Sequence, residues 1–177
     1  MKLVLRLLHE IKASAFARRR SKQDQEQLLD ALRSALDENE VEQAALIAQA
    51  VCAAPGALGN RAKLLCGRLK SLQGDLPGAM ALLADVVQDP LLAVDANCWC
   101  AITSMLAGDP DAASRYAHDA ELLRPGNPEM LSLIGTVHVS KGDIGAANTA
   151  FAAALNADAN CLNALRSLAS IRAQGRQ

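Results

Sequence analysis

A chain of 177 residues is long enough to bury a core, yet this one has one Trp, one Tyr and two Phe to fill it. The core must therefore be built of Ala and Leu, which are also the strongest helix formers, and no window alternates like a strand, so an all-α fold is predicted. The net charge of −1 is unevenly placed, +6 on residues 1–22 and −7 on the rest, and an acidic body poor in aromatics excludes nucleic acid as the partner.

Residues 1–22 read as a basic amphipathic helix and hinge. Val4, Leu8, Ile11 and Ala15 recur at helical spacing, with Lys2, Arg6, His9 and Lys12 on the other side. Such a helix can lie on an anionic membrane, pair with a partner helix or fold back on the acidic body. Peripheral membrane contact through residues 1–20 is one expectation. Docking of residues 1–16 on the body, within one chain or between two as a homodimer, is another. The segment ARRRSK, Ala17 to Lys22, reads as a solvated hinge. Arg6 interrupts the apolar start and no clean cleavage site follows, so a secretory signal does not fit, and a basic transit peptide fits the composition better. No apolar run approaches the ~20 residues of a membrane span. Cys52, Cys66, Cys98, Cys100 and Cys161 are odd in number, contain no CxxC and occupy places that otherwise hold Leu or Ala. They read as small buried hydrophobes in a reducing compartment, and the expected location is cytoplasmic.

From residue 23 the chain repeats. Gly74, Gly108 and Gly142 are 34 residues apart, as are Asp75, Asp109 and Asp143, and Ala79, Ala113 and Ala147. A fixed period of this size predicts stacked units, each too thin to bury its apolar face alone. Each Gly-Asp pair reads as the joint between two helices: glycine takes the left-handed conformation that ends one, and Asp caps the free N–H groups of the next. Pro110 then falls in a first helical turn, where its missing N–H costs nothing. A phosphate loop would need several glycines after a strand, and a calcium loop would need acids at alternating positions; neither pattern is present.

In chain order the units are 23–59, degenerate, then 60–93, 94–127 and 128–161, with a capping helix at 162–175. The first has Asn39 where the others have glycine, Ala44 for the following alanine, and Pro55 as its close. The second keeps Gly67, Gly74 and Ala79, with Pro90 one residue early. The third keeps Gly108, Ala113, Ala120 and Pro125, but has Ala101 for the first glycine and Ala117 for the aromatic. The fourth has Gly135 at the close helix contact, Gly142 at the turn, Ala147, Phe151 and Ala154 on the packing face, and Ala159 in place of the closing proline. In the capping helix Leu165 and Leu168 are expected inward, with Asn163, Arg166, Ser167 and Ser170 outward.

This 34-residue helix-turn-helix unit resembles the tetratricopeptide repeat, over about 37–177 and most closely over 94–160. The resemblance implies an α-solenoid whose first helices line a concave groove. Carried over position by position, the groove comprises Arg61, Leu64, Leu65 and Arg68; then Asp95, Cys98, Trp99, Ile102 and Met105; then Glu129, Ser132, Leu133, Thr136 and Val139. This surface is largely apolar and lacks the Lys and Asn combination with which some relatives grip a terminal carboxylate. It suits an apolar helix or extended segment of another protein.

Catalysis finds no support in the residues. His9, His118 and His138 fall far apart in the repeat map, and no Ser or Cys has a base and an orienting acid placed to activate it. Cys98 and Cys100, two apart on a helix, point to nearly opposite sides, so no metal and no cofactor is expected. The reading is a non-enzymatic adaptor or small chaperone. The alternatives are a membrane-attached, self-associating scaffold anchored by residues 1–20, or the repeat portion of a larger transferase.

Overall fold

The computed structural model of the protein describes residues 22–52 and 59–174, which form nine helices and no strand. They are α1 (Lys22–Asp37), α2 (Val41–Cys52), α3 (Asn60–Gln73), α4 (Leu76–Ala84), α5 (Ala93–Leu106), α6 (Pro110–Leu123), α7 (Pro128–Ser140), α8 (Ile144–Ala157) and α9 (Leu162–Gln174). The expected N-terminal amphipathic helix and its hinge, up to residue 21, and the Pro55 closure lie outside the described residues. Lys22 is already part of α1.

The turns between paired helices share one chemistry. Gly74, Gly108 and Gly142 have φ of 82°, 75° and 77°, and Asn39, where glycine is replaced, has φ 58°. In each case two N–H groups reach back to close the preceding helix. The Asp75, Asp109, Asp143 and Glu40 N–H groups donate to the carbonyls of Lys70, Ser104, His138 and Ala35 at 2.8–2.9 Å. The left-handed residue donates to the carbonyl three residues back, which satisfies acceptors that a helix end leaves open. The Asp side chains then open the next helix: Asp109 Oδ1 accepts from the Ala112 N–H at 2.8 Å, Asp143 from Ala146 at 2.9 Å and Asp75 from Gly78 at 3.0 Å. Lys70, bonded to Asp75, and the Gly78 N–H hold the Asp75 carboxyl below its ordinary value.

The described residues divide into two compact units between Leu82 and Leu83, inside α4. In the first, α1 packs on α2, and α3 packs on both. Leu28, Leu32 and Leu36 of α1, Ala44, Ile47 and Val51 of α2, and Leu65, Cys66 and Leu69 of α3 form its core. The first two sets recur three or four residues apart, and Leu65 and Cys66 lie four and three residues before Leu69, so each helix turns one apolar stripe inward. α4 has nine residues, against 14 for α6 and α8, and gives way after Ala84 to turns whose N–H groups reach three residues back. Pro90, one residue early in the repeat, also disfavours helix at Asp89.

In the second unit α5 pairs with α6 and α7 with α8; α6 also touches α7, and α5 touches α7. Ala101, Ala113, Ala117 and Val137 form one core cluster, and Ala147, Phe151, Ala154, Cys161 and Ala164 another. Helices faced with Ala approach closely, and Gly135 carries this furthest: a Cβ there would lie 2.6 Å from the Phe151 ring. One period earlier the same two places hold Ala101 and Ala117, so a glycine-aromatic pair replaces an alanine-alanine pair. The inward stripe consists of Cys161, just before α9, and Ala164, Leu168 and Ile171 within it. The expectation for Leu165 fails: it is 44 % exposed, and Leu162 63 %, because α9 has neighbours on one side and Leu165 lies off that side.

Gly135→Ala should lower stability by about 1–3 kcal/mol, since the added carbon overlaps a fully buried ring. In a Phe151→Ala background, which restores the pairing of the preceding repeat, the same change should cost almost nothing. Urea unfolding of the four-member cycle reads the coupling, and additive losses would show that the ring contact is not what requires glycine.

Candidate functional site

α5 and α7 lie against each other, and the Cys98 thiol approaches Met130 Sδ at 3.2 Å across that contact. Burial above all, with Asp95 and Glu129 nearby, pushes the Cys98 thiol up to about 12, so it stays protonated. Burial alone does the same for Cys100. The buried side of α5 is set by Ala96, Cys100, Ala101 and Ser104. Its other side carries Asp95, exposed, then Trp99 and Ile102, both half-buried, and Leu106, 57 % exposed. These four recur at spacings of four, three and four, one stripe along the helix. Leu106 was not among the expected groove residues; the same spacing counted from Trp99 would have found it.

Of the groove residues carried over from the repeat, the structure opens some and closes others. Asp95, Glu129 and Thr136 are exposed, and Trp99 and Ile102 half-buried. Met105 and Leu133 pack against the cluster around Ala117, and Val139 packs against the one around Phe151. Leu64, Leu65 and Ser132 are buried at 7 %, 5 % and 2 % exposure and present no surface; Leu65 belongs to the core of its unit. The Ser132 hydroxyl makes no hydrogen bond with the described residues. Both arginines are engaged within the chain. Arg61 pairs with Glu26 and Asp30 of α1, while Arg68 bonds Asp37 at 2.6 Å and the Leu36 carbonyl at 2.9 Å.

The histidines also depart from expectation. His118 and His138 line one cleft of about 190 Å³, with Ser114, Ala117, Ile134 and Val137. Counting equal steps outward from Gly126 pairs Ser114 with His138 and His118 with Ile134, as antiparallel α6 and α7 require. The repeat map compares positions one period apart and hides this closeness. The cleft is below the ~300 Å³ at which pockets for small organic ligands begin. Among the described residues no three His, Cys, Asp or Glu side chains gather as a metal site would need.

No family model matches the chain, and no curated protein matches it. The site therefore stands on its own geometry. Nor is every cysteine a buried hydrophobe: Cys52, the last residue of α2, is exposed. No described helix is long and apolar enough to cross a membrane.

The arginines can be told apart by substitution. Arg68→Ala should cost about 1–2 kcal/mol, because its half-buried guanidinium satisfies a helix-end carbonyl as well as Asp37. Arg61→Ala, which breaks exposed ion pairs, should cost less than about 1 kcal/mol. Equal losses in urea unfolding would contradict the assignment. Ser132→Ala should stabilise the protein by up to about 1 kcal/mol, as it removes a buried hydroxyl without a partner; a loss of stability would mean that the hydroxyl is satisfied.

Proposed function

We propose that the chain is a non-enzymatic protein-interaction module, a tetratricopeptide-like array that holds an apolar segment of another protein against its first helices. The observation that carries this reading is the stripe Trp99, Ile102 and Leu106 on α5. In a chain with one Trp, that residue stands half-exposed on a helix whose opposite side already supplies the core. Aromatic and aliphatic side chains so placed desolvate favourably against a partner and are the usual anchors of an interface.

The surroundings give the partner its chemistry. Asp95 opens the stripe, and the exposed Glu129 and Thr136 lie on the adjoining helix. Of the charges that act on Cys98, next to Trp99, the acidic Asp95 and Glu129 outweigh the basic Arg124. A fitting segment is therefore apolar along one side and basic or neutral at its margins. The four repeated left-handed closures, three of them at the 34-residue period, support the repeat assignment independently of the stripe.

Selection of peptides on the immobilised full chain, then titration calorimetry of the selected peptide, tests the reading. The enriched peptides should be apolar, and Trp99→Ala and Ile102→Asp should each weaken binding tenfold or more, about 1.4 kcal/mol, while helicity and melting temperature stay close to those of the parent. Unchanged affinity in both variants, or unfolding by Trp99→Ala, would move the site elsewhere.

A further inference from the structure

One pair of sulfurs has no part in the proposed interface. Cys52 is the last residue of α2 and is exposed; Cys66, midway along α3, is 5 % exposed and belongs to the core. Their Sγ atoms are 4.0 Å apart and share a thiol hydrogen bond. The other cysteines are committed differently: Cys98 faces Met130 Sδ, Cys161 bonds the Pro128 carbonyl at 3.7 Å, and Cys100 is fully buried.

We propose that Cys52 and Cys66 are a redox-modification site, in which the two thiols form a reversible intramolecular disulfide that ties the end of α2 to the middle of α3. A disulfide needs its sulfurs about 2.05 Å apart. The remaining gap closes by turning the Cys52 side chain, which is exposed and terminal in its helix, while Cys66 stays in its core position.

The oxidant is a small disulfide of the glutathione class. Cys52, reachable from solvent, attacks one sulfur of that disulfide as the thiolate; the S–S bond breaks and one small thiol leaves. Cys66 then attacks the Cys52 sulfur of the mixed disulfide, gives its proton to the departing group and expels the second small thiol. Two protein thiols are oxidised to one disulfide, and one small disulfide is reduced to two thiols. Burial first, then the neighbouring Cys52, pushes the Cys66 thiol up to about 12, which assigns it the second step. Capture of Cys52 in the mixed disulfide removes the Cys52 contribution, while Lys70, which favours the Cys66 thiolate, remains. Burial, the largest cause, persists, so the second step should quicken as pH rises toward the raised value.

The experiment incubates the full chain with glutathione disulfide at pH 8, alkylates the remaining thiols and maps the peptides by mass. The expected product is a monomer with Cys52 joined to Cys66 and a melting temperature raised by about 5 °C or more, because a 15-residue loop has been closed. Dithiothreitol should reverse both. Cys52→Ser, at an exposed position, should abolish linkage and shift together, and Cys66→Ser should hold glutathione on Cys52. Stable glutathionylation of Cys52 in the parent, a dimer joined through Cys52, no reaction, or linkage with an unchanged or lower melting temperature would each overturn the proposal.

Discussion

A helix can be followed by an antiparallel partner only if its last carbonyls are satisfied while the chain reverses, and here a single left-handed residue does both. At Gly74, Gly108, Gly142 and Asn39 the positive φ turns the backbone so that two successive N–H groups point back into the helix just finished. At the three glycine turns the next residue is Asp, whose carboxylate at once accepts an N–H of the helix about to begin. With both helix ends satisfied within about three residues, no spare length is left for the hairpin to open. Small residues at the facing positions then let the helices come together. Where a large ring is used, at Phe151, the partner position is reduced to glycine.

The candidate site is a by-product of this economy of side chains. The inward face of α5 is made of small and medium residues, Ala, Cys, Ser, Thr103 and Asn97, while its larger apolar residues Trp99, Ile102 and Leu106 are on the other side. Charge follows a similar division: Arg61 and Arg68 satisfy carboxylates and a helix-end carbonyl of α1, and Lys141 pairs with Asp111 at 2.9 Å, holding that carboxyl below its ordinary value. Within the second unit, Asp95 and Glu129 outweigh Arg124 among the charges that act on Cys98, beside the apolar stripe.

The turns were legible in the sequence because each depends on one or two residues of special chemistry at a fixed interval. Asn39 could be read as a glycine substitute for the same reason, and Gly135 against Phe151 because size must be complementary at a helix contact. Side-chain exposure was less legible. Leu64 and Leu65 sit at positions that line a groove in the resembling repeat, yet here they pack inward, and Leu106 rather than Met105 continues the open stripe of α5. A helix rotation of a few tens of degrees exchanges such neighbours, and no single residue fixes it. The closeness of His118 to His138 and of Cys52 to Cys66 depends on pairing between helices, which a period-based comparison does not contain.

The dependence of the hairpins on a left-handed residue can be measured at Gly142, where an added Cβ would meet nothing within 4 Å and any cost is that of the backbone. The measurement compares, in semisynthetic protein, the melting temperatures of Gly142→Ala with the L-residue and with its D-enantiomer. L-alanine should lower stability by about 1–2 kcal/mol, while D-alanine, for which positive φ is the favoured region, should match or exceed the parent. Equal losses from both enantiomers would show that the turn does not require the left-handed conformation, and the account of how this chain folds back on itself would fail.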